Sequence, residues 1–185
     1  GLASHAGLEP EKGVNSTTEI AHAILKLSAL ENLEHGTTVV PTLLSSGNTT
    51  NTVPDLAILD IDARSFSQAE LERVDREIKA FASVNPKAEI EVTGGLNRPP
   101  LQPASTKALY ERAEKVAAKL GMPALGCAEV GGASDGNFAA AAGAQVLDGL
   151  GAVGGGAHAP SEWVKVSTMQ ERSDFLHAFI QELLS

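Results

Sequence analysis

An α+β sandwich followed by an α/β segment is the fold class this sequence predicts, and three observations predict it. Over residues 1–95 the hydropathy period switches between two and 3.6 in the order strand, helix, strand, strand, helix, strand. That is the split β-α-β order of a ferredoxin-like sandwich, a four-stranded antiparallel sheet with two helices. At "GGLNRPPLQP", residues 94–103, two glycines and three prolines mark a boundary. Beyond it helices alternate with short apolar runs, the order of a parallel α/β sheet. Only two or three such runs occur, too few to bury a sheet covered on both faces, so this stretch reads as part of an incomplete domain.

The elements follow in order. In residues 15–30, Ile20, Ala23, Ile24, Leu27 and Leu30 recur at helical spacing. Asn15 or Ser16 would cap this helix, with Ser16 and Glu19 spaced as a capping box. Residues 37–44 form a strand in which Pro41 demands an edge or a bulge. Turn formers fill "SSGNTTNTVPD". Residues 56–64 alternate, with Ala57, Leu59, Ile61 and Ala63 on one side and Ile58, Asp60, Asp62 and Arg64 on the other, as a half-buried strand does. Ser67 caps a second helix over 68–83 with Leu71, Val74, Ile78 and Phe81 on one face, and 88–93 alternates again as a strand. Past the boundary come a helix at 105–119, apolar strands near 124–128 and at 144–148, a small-residue helix at 134–142 and a last helix at 168–184.

Composition excludes some functions. The chain has 185 residues, enough for one domain or two small ones, and a net charge of -9 without a Lys/Arg cluster. Nucleic acid is thus not an expected partner, since phosphate binding needs a basic patch. No apolar run approaches the roughly 20 residues of a membrane span, and no signal-peptide pattern opens the chain. The opening "GLASHAG" begins on Gly1 and reads like the end of a strand, so a cut or processed start is expected. Cys127 is the sole cysteine, which rules out an internal disulfide and fits a reducing compartment, the cytoplasm.

Four stretches can carry chemistry. In "SHAG", His5 reads either as a solvated turn residue or as a functional imidazole. In "GNTTNTVPDLAILDIDAR", Asn51 and Arg64 read as turn chemistry and a surface ion pair with Asp60 or Asp62, or as an amide and a guanidinium fork that clamp a carboxylate. In "EVGGASDGNFA", Ser134 or Asp135 caps a helix, and the same helix start behind Gly131 and Gly132 is a possible anion site. In "GLGAVGGGAHAPSEWV", the glycines lack the Lys-Ser or Lys-Thr of a phosphate loop, which ranks that reading last. His158 is a candidate metal ligand, with Glu162 as its supporting partner or a cap.

Together and in this order, the four stretches resemble the C-terminal half of the zinc amidohydrolase and peptidase family of glutamate carboxypeptidase, aminoacylase, acetylornithine deacetylase and succinyl-diaminopimelate desuccinylase. "SHAG" is similar to its lid histidine motif, "NTVPDLAILDIDAR" to its Asn, Pro and Asp-x-Arg strand, "GGASDG" to its Gly-Gly-x-Ser/Thr-Asp loop and "GAHAPSEWV" to its late His-x-x-x-Glu loop. The resemblance implies a lid or dimerisation domain over 1–96 and the C-terminal segment of a zinc catalytic domain over 97–185. It implies hydrolysis of an amide next to a free carboxylate, in an N-acyl amino acid or small peptide, by two zinc ions, with cobalt or manganese as alternatives. Zinc there acts as a Lewis acid and lowers the pKa of its bound water to about 7. His158 matches a zinc ligand. His5 matches the lid histidine that reaches the partner protomer's active site in homodimeric members and stabilises the oxyanion. Asn51 and Arg64 match substrate holders, Arg64 for the carboxylate. Gly132 lies in the loop that lines the pocket, and Arg98 is a further substrate contact on a looser alignment.

One departure is large. The chain holds no His-x-Asp and no adjacent glutamates, the motifs that carry most of the family's metal ligands. A catalytic zinc takes about three protein ligands plus water, which one histidine cannot supply. The isolated chain is therefore expected to be inactive and to bind zinc weakly. The alternative is a stand-alone dimerisation module without catalysis, for which His5, Asn51, Arg64 and His158 would have no use.

Overall fold

The computed structural model describes residues 1–185. They form two compact units, Gly1–Pro100 and Leu101–Ser185.

In the first unit, β1 (Ser4–His5) pairs antiparallel with β3 (Thr52–Val53), and β2 (Thr38–Ser46) pairs antiparallel with β4 (Ala57–Arg64). Helices α1 (Ser16–Ser28) and α2 (Gln68–Lys79) pack on the β2–β4 ladder. Each element has a local cause. Asn15 is the cap of α1, its Oδ1 accepting the amides of Thr17 and Thr18 at 2.9 and 3.1 Å, a contribution of about 1 kcal/mol. The expected capping box does not form. Ser16 gives both its N–H and its hydroxyl to the Pro54 carbonyl, and Glu19 instead accepts the amides of Val84 and Asn85, each at 2.8 Å. Helix α2 stops at Lys79 rather than at residue 83, and Glu19 holds the chain that follows it. Pro41, with no N–H to donate, coincides with a register shift between Pro41 and Leu43. Ser67 caps α2 through the Glu70 amide, and Leu71 and Val74 face the core with Ala23, Leu27 and Val39.

The turns at the other end of this ladder are tied by a polar cluster. Thr37, fully buried, shares its hydroxyl with Ser65 at 2.8 Å and Glu70 at 3.2 Å. Arg73 grips both oxygens of Glu70 and donates to the Leu30 carbonyl at 2.9 Å. Arg73, with Thr37 and Asn32, holds the Glu70 carboxyl down at about 2.

Two sheet expectations need correction. Residues 88–93 join no ladder, and the strands of this unit form two separate pairs instead of one four-stranded sheet. Alternation encodes a face to bury; it does not supply a neighbouring backbone to bond.

The second unit is built on α3 (Pro103–Lys119) and α5 (Met169–Leu184), with the short α4 (Gly136–Ala141) between them in the chain. Small side chains on α3, Ala113 and Ala117, let it approach Phe175 and Phe179 of α5, whose rings stack with centroids 6.1 Å apart. Arg112 closes the far end, its guanidinium on the Glu182 carboxylate at 3.0 Å and on the Glu182 carbonyl at 2.9 Å. The expected strands at 124–128 and 144–148 are absent; Val146 bonds the Ser105 carbonyl instead of a strand. The ladder of this unit is the antiparallel pair β5 (Gly154–Gly155) and β6 (Trp163–Val164). Short apolar runs do not declare themselves as strands, and a parallel strand forms only beside another.

Candidate functional site

In the first unit the structure sets His5 and Asn51 side by side. β1 ends at His5, opposite Thr52, and the Ala6 amide bonds the Asn51 carbonyl at 2.8 Å. The chain then turns around the imidazole. His5 Nδ1 accepts the amides of Gly7 and Leu8, both at 3.1 Å. A nitrogen that accepts two donors carries no proton, so the neutral ring keeps its hydrogen on Nε2. His5 is exposed, as is Asn51. The corner thus presents an oriented N–H donor next to the turn that carries Asn51.

Arg64 is elsewhere. It ends β4 opposite Thr38, while the Asn51 turn adjoins the other end of the ladder, where Ser46 meets Ala57. At strand rise, Arg64 lies roughly 23 Å along from Ala57. Its fork holds Asp62 bidentately, Nε to Oδ1 at 2.8 Å and Nη2 to Oδ2 at 2.9 Å. That hydrogen-bonded pairing lowers the Asp62 carboxyl and raises Arg64. Of the two acids expected as its ion-pair partner, Asp62 is the one engaged. Arg98 is half-buried in the irregular stretch after 94.

The second unit links two of the glycine motifs. Gly132 is exposed, and a Cβ there would meet nothing within 4 Å. Just after it, Ser134 Oγ accepts the Gly136 amide at 3.1 Å, and Asn137 Oδ1 accepts the Ser134 amide at 3.0 Å. So Ser134 and Asn137 supply the side chains that organise this helix start, and Asp135, at the N-cap, makes no side-chain cap hydrogen bond. The Ser134 hydroxyl also bonds Asp148, which with the Gly149 amide at 2.7 Å holds the Asp148 carboxyl below its usual range. Asp148 thereby joins the Gly132 loop to the loop that leads to His158. Sequence reasoning missed it; the Asp-Gly step in "LDGLG" was the available signal.

His158 sits in the turn between β5 and β6. The turn closes through Ala159 N–H to the Gly156 carbonyl at 2.9 Å and Glu162 N–H to the Ala159 carbonyl at 3.0 Å. Gly156 has φ +72° and His158 itself φ +66°. At Gly154 glycine is required, because a Cβ would come within 2.3 Å of the Trp163 carbonyl oxygen, while at Gly155 it would crowd the indole nitrogen of the exposed Trp163 at 3.0 Å. His158 is exposed, and no three His, Cys, Asp or Glu side chains of the chain gather into a group that could hold a metal ion. The residues present therefore do not by themselves fit a catalytic metal.

Comparisons with known proteins follow this geometry. Residues 1–89 match the family described as M20_dimer, peptidase dimerisation domain. The chain is 28% identical over 188 residues to carboxypeptidase G2 of Pseudomonas sp. (strain RS-16), covering 99% of this chain and 45% of that protein. It is 28% identical over 187 residues to the uncharacterised protein YqjE of Bacillus subtilis (strain 168), covering 98% and 49%. The chain spans about half the length of the curated relatives it matches. Among solved structures, aminopeptidase PepT from Bacillus cereus ATCC 10987 is similar at 25% identity and a TM-score of 0.65, with 100% of this chain and 49% of that one covered. A tripeptidase from Staphylococcus aureus shares the fold at 22% identity and a TM-score of 0.67, over 97% and 48%. No helix is long and apolar enough to cross a membrane.

Proposed function

We propose, from the match of residues 1–89 to the M20_dimer peptidase dimerisation domain, that the chain is part of a homodimeric, zinc-dependent hydrolase that cleaves an amide next to a free carboxylate. In this reading residues 1–96 form the lid that pairs the protomers, and 97–185 end the catalytic domain. The single observation that carries it is His5. Its Nδ1 is occupied by two backbone amides, so Nε2–H is a fixed donor at an exposed corner beside Asn51. A donor held in advance of the reaction suits a developing oxyanion, because no reorganisation is needed when charge appears.

The other roles are assigned with it. Asn51 holds the substrate beside His5. Arg64, at the far end of β4 from the Asn51 turn, is assigned a substrate carboxylate at a separate place from the His5 and Asn51 corner of the same protomer, and its bidentate grip on Asp62 is a stand-in for it. Gly132 lines the pocket, Arg98 adds a further contact, and His158 is one metal ligand. The remaining ligands of two zinc ions, with cobalt or manganese as alternatives, would come from outside these 185 residues, in keeping with a chain about half the length of its relatives. The substrate class is an N-acyl amino acid or small peptide, the compartment the cytoplasm, and nucleic acid is no partner.

The test is His5→Ala in the whole dimeric protein, assayed against N-acyl amino acids and dipeptides with each metal. We expect kcat to fall by about 100-fold or more with KM little changed. An unchanged kcat removes His5 from the reaction. A wild-type protein that dimerises but hydrolyses none of these substrates leaves a dimerisation module without catalysis.

A further inference from the structure

The turn that carries His158 follows a loop in which Leu150 packs against the core of this unit while the glycines on either side of it do not. A Cβ added at Gly149 or Gly151 would meet nothing within 4 Å. His158 is also the one non-glycine residue at positive φ, at +66°. An L-residue keeps that conformation only where its surroundings over-determine it. Beside the apolar contact of Leu150, hydrogen bonding must fix the backbone on either side of it.

One side chain does so. Arg172, on the first turn of α5, donates from Nε to the Gly151 carbonyl and from Nη2 to the Gly149 carbonyl, each at 3.0 Å. Its guanidinium lies over Phe175, 5.7 Å from the ring centroid, and Phe175 is fully buried in the core of this unit. Asp148 grips the same glycine from the other side through the Gly149 amide at 2.7 Å. Two residues past Gly151, the Val153 carbonyl accepts the Lys165 amide at 2.8 Å, and the β5–β6 ladder begins. Core, Phe175, Arg172, loop and His158 turn are thus one continuous mechanical path.

We propose that Arg172 is a positioning residue for His158: its planar fork transfers the rigidity of α5 to the loop and fixes where the imidazole is presented. The proposal rests on the reading of His158 as a site residue only for its functional consequence. The fork is essential to it, because a point charge cannot draw two carbonyls into one plane.

The test compares wild type with Arg172→Lys, which keeps the charge and loses the fork, and Arg172→Met, which keeps apolar cover over Phe175 and loses every hydrogen bond. Three quantities are read: the imidazole resonance of His158, assigned with His158→Gln; amide exchange over 149–156; and the melting temperature. His5, His22 and His35 of the first unit serve as internal references. We expect loop exchange to rise by about tenfold in both variants, the size set by losing a charge-assisted hydrogen bond. The His158 resonance should move while the three references hold still. Unchanged loop exchange and an unchanged His158 resonance in both variants overturn the proposal. So does a uniform shift of all the histidines, which would make Arg172 a general structural residue. In the whole, metal-supplied protein, kcat should fall along with the loosened loop. A loosened loop at unchanged kcat would uphold the positioning role of Arg172 and overturn the reading of His158 as a site residue.

Discussion

The two units secure their backbones differently. Residues 1–100 contain an eight-residue strand, β4, in register with β2, two side-chain-capped helices, and a buried polar cluster centred on Thr37 and Glu70. Residues 101–185 contain a two-residue ladder, a core of Ala113, Val116, Ala117, Phe175 and Phe179, and a glycine loop held by the packing of Leu150 and by one arginine. Val166, at 74% exposed, and Trp163, at 54%, stand outside that core. The first unit spreads its stability over many satisfied local interactions. The second concentrates it in one helix–helix contact, and a single core substitution should therefore cost more there.

Phe175→Ala is the largest expected effect. The ring is fully buried and stacks on Phe179, so its removal should destabilise the second unit by about 3–5 kcal/mol. Amide exchange checks it, with protection lost across α3 and α5 while α1 and β4 stay protected. A cost below about 1 kcal/mol would show that the α3–α5 contact is not what holds this unit, and the contrast would fail.

Acid separates the units next. Glu70 titrates at about 2 when folded, against an ordinary value of 4.5, because Arg73, Thr37 and Asn32 favour its charged form. Between those values the unfolded chain binds the extra proton, so stability rises with pH through this window. The contribution is complete above pH 4.5 and is lost as pH falls toward 2. Glu70→Gln should flatten that dependence for α2 and β2 and leave α3 and α5 as they were, measured by exchange at a series of pH values. An identical acid profile in the variant would mean the cluster does not report on the fold of the first unit.

The same contrast explains what could be read in the sequence. Helices were legible because a helix satisfies its backbone within its own segment: Asn15, Ser67 and the Leu71 and Val74 face sit where spacing put them, and the last helix lies where it was expected. Pro41 announced its bulge because a missing N–H is a property of one residue. Strands were legible only where both partners belonged to the pattern, as in β2 and β4. Residues 88–93, 124–128 and 144–148 have strand-like side chains and no ladder, since no residue in them specifies a neighbour. Within the candidate site, His5, Asn51 and His158 stood out by type and motif. The side chains that orient the His158 loop did not. Arg172 acts on the carbonyls of Gly151 and Gly149, 21 and 23 residues away, and Asp148 bonds the Ser134 hydroxyl 14 residues away, and nothing in local spacing encodes such pairs.

The smallest expected effect tests whether a glycine is required by the fold or by the site. At Gly154 a Cβ would fall 2.3 Å from the Trp163 carbonyl oxygen, so Gly154→Ala must push β5 from β6 and should cost about 1–3 kcal/mol. At Gly132 the added methyl meets nothing within 4 Å and φ lies outside the left-handed range, so Gly132→Ala should leave stability within about 0.5 kcal/mol. The fold therefore gives no reason for glycine at Gly132, and a substrate passing close to the backbone would. If Gly132 lines the pocket, Gly132→Ala in the whole protein raises KM at unchanged melting temperature. If KM holds, the glycine serves neither fold nor substrate, and the site on the second unit contracts to the His158 turn and the residues that orient it.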